Sequence, residues 1–124
     1  MRVKLLNIVS TYERIGYLPN KFGWVNISKR TCCPLSAIIL AAGKIPHGIY
    51  EKKMNALGHW ESIVFLAGLL GASPSYVLGF SVSYNGIDQA DALDKYPEID
   101  LEIEAFSYGY TDGLSASIIC RDKI

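Results

Sequence analysis

The 124-residue chain lacks the short motifs that identify most enzymes and cofactor-binding proteins. It has no glycine-rich dinucleotide or phosphate loop, no Gly-x-Ser-x-Gly elbow and no His-Glu-x-x-His motif. It has only two histidines, and no Cys-x-x-Cys or His-x-x-x-His pair occurs in it. We therefore expect neither a cofactor nor a metal ion.

Charged residues are also scarce, at 19% of the chain, and they cancel to a formal net charge of zero. A neutral chain is not expected to bind nucleic acid generally or to sit on an anionic membrane. The charges are nevertheless segregated along the chain. Residues 1–62 contain nine basic and three acidic side chains, whereas residues 63–124 contain three basic and nine acidic ones. Such halves either neutralise each other on folding or attract each other between chains.

The sequence has three cysteines, an odd number that argues against a secreted disulfide framework, and it begins with an amphipathic pattern where a signal peptide would be apolar. We therefore expect a cytoplasmic protein with reduced thiols. The longest uncharged stretch, residues 62–87, has the length of a membrane span. Residues 71–75 interrupt it and polar residues follow, which favours two buried helices joined by a turn.

Hydrophobic periodicity predicts one mainly α-helical domain over residues 1–124, an orthogonal bundle of about six helices. Its centre is residues 34–43, which are apolar on nearly every side, with proline at the start and glycine at the end. Residues 24–27 are predicted to be either an extended connection or an edge strand. The other predicted helices cover residues 3–17, 49–57, 60–70, 73–84 and 88–94.

The last third of the chain is harder to assign. Residues 99–105 alternate like a strand, but the wider pattern favours a helix that begins at Pro97 and stops at Asp112-Gly113. The remaining tail, residues 114–124, is predicted to be helical or extended.

Two segments thirty residues apart share the pattern aromatic-x-x-Gly-aromatic. A glycine inside a helix costs about 1 kcal/mol relative to alanine, so a packing reason is expected. We expect Gly79 and Gly109 to let two helices cross closely. The aromatic residues on these helices are the candidate binding residues for a partner: Tyr76, Phe80, Tyr84, Phe106 and Tyr110.

Residues 61–84 resemble the helix-turn-helix of phage-repressor-like regulators, with a glycine in the turn and Ser73 as a helix cap. The resemblance implies that the second helix would enter the major groove of DNA. None of the residues that would read bases can pair with a base through two hydrogen bonds, and residues 54–94 contain no lysine or arginine. The positions carried over are Ser75, Leu78, Gly79, and Ser81 or Val82.

Cys33 precedes the central helix and follows two cations closely, a position that can lower a thiol pKa and create a nucleophile. Catalysis would need a base, and the two histidines, His47 and His59, lie in no recognisable signature. Buried structural cysteines are the alternative interpretation. A large cavity with converging polar groups that holds Cys33 together with a histidine would make an enzyme the first hypothesis.

Eight tyrosines and two tryptophans are many for a small neutral chain, and such side chains anchor protein interfaces. We therefore expect a non-enzymatic binding or regulatory protein that acts through protein contacts, as a homo-oligomer or with another protein. The first alternative is a DNA-binding regulator that uses residues 61–84. The second is a cysteine-dependent enzyme that uses Cys33.

Overall fold

The computed structural model describes residues 2–95 and 101–123, without the side chains of Lys95 and Lys123. This part of the chain is mainly α-helical, as the sequence predicts, with a small three-stranded sheet. Seven α-helices occur in it, against a predicted total of about six, and a short 3-10 turn follows the last of them. The helices are α1 (Ile8–Ile15), α2 (Pro34–Ala42), α3 (His47–Ala56), α4 (His59–Leu70), α5 (Pro74–Tyr84), α6 (Gln89–Lys95) and α7 (Ile103–Cys120).

Helix α2 is buried and has the ends that its sequence predicts. Pro34 occupies the first turn, and the sulfur of Cys33 caps the helix by accepting a hydrogen bond from the Ser36 N–H at 3.5 Å. Gly43 ends the helix in the left-handed conformation, with φ of 68°. Helix α2 packs against α1 and α4, and most of its side chains are buried.

The predicted extended segment is a short edge strand. It contains β2 (Val25–Asn26), which pairs antiparallel with β3 (Thr31–Cys32). The other side of β3 pairs in parallel with β1 (Leu18–Pro19), so β3 is the central strand. The sequence did not identify these partners, because strands of two residues carry no readable alternation.

The first helix is shorter than the predicted 3–17. It begins at Ile8 and ends where Gly16 adopts φ of 73°. The residues before it are held by tertiary contacts, since the Val3 N–H donates to the Tyr76 hydroxyl at 3.0 Å. The helices predicted at 49–57 and 60–70 begin slightly earlier than expected, whereas Ser73 and Pro74 open α5 as predicted.

Helix α7 does not stop at Asp112-Gly113, so that prediction is wrong. The helix continues to Cys120, because both residues face α5 inside the fold and neither is in a turn. The described part of the ambiguous segment 99–105 is helical from Ile103. Pro97, the predicted start, lies outside the described residues.

No single helix in the described ranges is long and apolar enough to cross a bilayer. Helices α4 and α5 reach that length and composition only when taken together, and the chain bends by 112° between them.

Candidate functional site

Helices α5 and α7 cross so closely that their backbones touch, which confirms the predicted role of two glycines. A Cβ atom on Gly79 would lie 2.9 Å from the Tyr110 nitrogen and would overlap the Phe106 carbonyl oxygen. A Cβ atom on Gly109 would overlap the Tyr76 carbonyl oxygen in the same way. Gly113, which the sequence suggested as a stop, is a third contact, because its Cβ would overlap the Phe80 carbonyl oxygen.

A partly buried polar cluster lies beside this crossing, and the sequence did not reveal it. Asp112 accepts a 2.5 Å hydrogen bond from the Tyr76 hydroxyl and two from the Arg2 guanidinium, at 2.5 and 3.1 Å. Arg2 also lies 4.6 Å from the centre of the Tyr108 ring. Burial and the hydrogen bond to Asp112 raise the pKa of Tyr76. The cluster fastens the start of the chain to the helix pair, although 110 residues separate Arg2 from Asp112.

The aromatic residues proposed from the sequence as partner-binding groups lie mostly inside the fold. Tyr76, Phe80, Tyr84 and Phe106 are each at most 2% exposed and pack within the chain. Tyr110 is half-buried, and its hydroxyl donates to the Ile87 carbonyl at 3.4 Å. Of these five residues a partner can reach only Tyr110 in this structure, because the other four are buried in the fold.

The opposite side of α7 carries large apolar side chains that face solvent. At 100° per residue, Ile103, Leu114 and Ile118 fall within roughly 60° of one another around the helix axis. Their exposed fractions are 65%, 45% and 62%. The positions between them, Ser107 and Thr111, are exposed and small. We call this stripe of five residues the outer face of α7.

In the described part of the chain, the opposite charges of the two halves are scarcely paired. Among the described residues, Arg2 and Asp112 form the one ion pair between a basic side chain and a carboxylate. Arg121 and Glu104, exposed at opposite ends of α7, have no such partner in the described part. Their charges therefore remain available to another molecule.

Helices α4 and α5 meet at an angle suited to a helix-turn-helix, but α5 is not accessible. Nine of its eleven residues are buried, since α4 and α7 pack against it. Of the positions that would read bases, Ser75, Leu78, Gly79 and Val82 are buried and Ser81 is half-buried. In this fold α5 cannot enter the major groove.

Cys33 and His59 both line a cavity of about 260 Å³, the combination that would favour a cysteine enzyme. The thiol is not activated, however. Burial raises the pKa of Cys33, and its sulfur lies 3.3 Å from the Ser36 hydroxyl. Burial likewise raises the pKa of Cys32, and it raises that of Cys120 to about 11. Protonated thiols are poor nucleophiles.

The second histidine has a structural contact of its own. The Nδ1 atom of His47 lies 3.1 Å from the Tyr17 hydroxyl, and the two rings pack edge to face.

Within residues 2–95 and 101–123, no group of three or more His, Cys, Asp or Glu side chains is placed to hold a metal ion.

The candidate site is therefore a surface: the outer face of α7, with Glu104 and Arg121 at its ends. Comparison with known protein families, with curated proteins and with solved structures returned no match for this chain.

Proposed function

We propose that this chain is a non-enzymatic binding protein that acts through protein contacts, and that its outer face of α7 binds the same face of a second copy. The observation that carries the proposal is the exposure of Ile103, Leu114 and Ile118 on one side of an 18-residue helix. Large aliphatic side chains grouped on a surface are typical of interaction sites. A face that binds itself forms a closed dimer with a two-fold axis.

An antiparallel arrangement suits this stripe best. If Ile103 of one copy faces Ile118 of the other, the apolar ends of the two stripes cover each other. The small side chains of the two Thr111 residues then meet near the centre, and Ser107 of each copy faces Leu114 of the other, which allows the helices to approach. Antiparallel helices also place opposite ends of their dipoles together.

The charges at the two ends of α7 support the same arrangement. In that register Arg121 of one copy lies about 6 Å along the axis from Glu104 of the other, within reach of two long side chains. Neither residue has an ion-pair partner in the described part of its own chain. A parallel arrangement would instead bring like charges together, which is unfavourable.

Sedimentation velocity over a series of concentrations tests the proposal. We expect the wild-type chain to dimerise reversibly. Ile118→Glu should weaken the dimer at least tenfold, because the symmetric interface would then bury two carboxylates, one from each copy. Ile49→Glu is the matched control: Ile49 is 59% exposed, against 62% for Ile118, but lies on α3. Circular dichroism should show that both variants remain folded.

The proposal is overturned if the wild-type chain stays monomeric at every concentration, or if both variants weaken association equally. A charge exchange tests the antiparallel register separately. Arg121→Glu should weaken the dimer, and adding Glu104→Arg to it should restore most of the lost affinity.

A cysteine-dependent enzyme is the second candidate, because Cys33 and His59 share the cavity. Its minimum requirement is a reactive thiol at neutral pH. Since burial raises the pKa of Cys33, we expect the folded chain to be alkylated by iodoacetamide more slowly than a free thiol. Alkylation of Cys33 much faster than that of a free thiol would put the enzyme first.

A further inference from the structure

Two cations from distant parts of the chain line one open cleft beside the C-terminal end of α7. The cleft has a volume of about 400 Å³ and is lined by Lys21, Ser117, Ile118 and Arg121. Lys21 belongs to the loop between β1 and β2, whereas Ser117 and Arg121 are four residues apart and share one side of the helix end. Among the described residues, no carboxylate lines this cleft.

The ammonium group of Lys21 is held in place by the fold. The side chain is half-buried, its Nζ atom donates to the Ser117 hydroxyl at 3.1 Å, and it lies 5.6 Å from the centre of the Tyr84 ring. An ammonium group has three protons to donate, and the Ser117 hydroxyl accepts one of them. A ligand in the cleft can therefore bind to a side chain that is already ordered, which lowers the entropic cost of binding.

The positive charges of Lys21 and Arg121 are not balanced by carboxylates in the described part of the chain. Neither cation forms an ion pair there, and the exposed Asp122, although next to Arg121 in sequence, does not line the cleft. The C-terminal end of a helix carries roughly half a negative charge, which two full positive charges exceed. The cleft is therefore suited to an anion, and guanidinium and ammonium groups both bind phosphate oxygens.

We propose that this cleft binds a phosphate group, whose oxygens accept hydrogen bonds from Lys21, Ser117 and Arg121. The phosphate group belongs either to the free ion or to a small ester, whose substituent then packs against Ile118. In the proposed dimer Arg121 reaches Glu104 of the second copy, so the phosphate group and the second copy compete for it. Lys21 lies outside the outer face of α7, and substitution of Lys21 therefore separates the two proposals.

NMR titration of the full chain with inorganic phosphate, at constant ionic strength and neutral pH, tests the inference. We expect the amide signals of residues 21 and 117–121 to shift saturably, with a dissociation constant on the order of 1 mM. Lys21→Gln and Arg121→Gln should each weaken binding about fivefold, because each removes one of the two positive charges from an exposed site. Lys52→Gln is the matched control, because Lys52 is exposed on α3 and does not line the cleft.

A second titration, with phenyl phosphate, distinguishes the two sources of the phosphate group. Tighter binding of phenyl phosphate assigns an ester that packs against Ile118, and equal or weaker binding assigns the free ion.

The inference is overturned if the signals show no saturable shift at tens of millimolar phosphate, or if Lys52→Gln weakens binding as much as Lys21→Gln. Equal shifts caused by chloride at the same ionic strength overturn it as well. Circular dichroism should show that the three variants remain folded. Sedimentation of Lys21→Gln should show unchanged dimerisation, so failure of phosphate binding and failure of the proposed dimer are separate results.

Discussion

The two sides of α7 use opposite kinds of residue. The inner side presents Gly109, Gly113 and Ala116 to α5, and all three are buried. The outer side presents branched aliphatic side chains that are 45–65% exposed. Small residues let two backbones touch, whereas large exposed ones offer area to another molecule. The inner side therefore fixes the fold, and the outer side is the one available for binding.

Substitution of a glycine at the inner contact should have the largest effect on stability. Gly79→Ala places a methyl group against the Phe106 carbonyl, so we expect it to lower the free energy of unfolding by about 3 kcal/mol. Gly68→Ala is the control, because a Cβ on Gly68 in α4 meets nothing within 4 Å. It should raise the stability by about 0.5–1 kcal/mol through helix propensity.

Urea unfolding followed by circular dichroism measures both variants. If Gly79→Ala and Gly68→Ala changed the stability alike, the close crossing would not be what Gly79 provides. Unchanged thermal stability of Gly79→Leu would contradict the crossing outright.

The pH dependence of stability tests whether the thiol of Cys120, at the C-terminal end of the inner side of α7, is buried. The Cys120 pKa is raised from about 9 to about 11, so between these values the unfolded chain binds fewer protons than the folded one. Stability is therefore intact below pH 9 and falls as the pH rises through 11. Cys120→Ala should make the decline shallower in urea unfolding at pH 7–11. An unchanged pH profile would contradict the burial of this thiol.

Removal of the Asp112 carboxylate compares the effect of a buried carboxylate on stability with that of an exposed one. Asp112→Ala leaves the buried Tyr76 hydroxyl without its acceptor, so we expect the free energy of unfolding to fall by about 1–3 kcal/mol. Asp94→Ala removes an exposed carboxylate from α6 and should change it by at most about 0.5 kcal/mol. Equal effects in thermal unfolding would show that the cluster adds no stability.

The smallest expected effect on stability is on the outer side of α7. At concentrations low enough for a monomer, Ile118→Glu should change the free energy of unfolding by about 0.5 kcal/mol or less, because the side chain is exposed. A large loss, measured by urea unfolding of the dilute protein, would mean that Ile118 packs within its own chain.

Helix ends that depend on local residues were predictable from the sequence. Pro34 begins α2, Gly43 ends it, and Ser73 caps α5. These ends could be read from the sequence because caps act over a few residues. The start of α1 and the course of α7 through Gly113 were missed, because contacts distant in sequence decide both.

The surface site was only partly predictable. The aromatic-glycine pattern correctly indicated a close helix crossing, but it could not show that Phe80 and Tyr84 would point inward. The outer face of α7 gives only a weak periodic signal in the sequence. Ile103 and Leu114 are eleven residues apart, and the two positions between them on this face are the small polar residues Ser107 and Thr111. The Asp112 cluster had no signal at all, because its partners are 36 and 110 residues away.

Oxidative cross-linking at Thr111 tests the pairing of two α7 helices most directly. Thr111 is exposed near the centre of the stripe, so in an antiparallel dimer the two copies of Thr111→Cys face each other across the axis. The native cysteines are buried, and Ser28→Cys places a thiol on an exposed loop as the control. Rapid formation of a disulfide-linked dimer by Thr111→Cys alone is the predicted result. No cross-linked dimer, or equal cross-linking of both variants, would contradict the pairing.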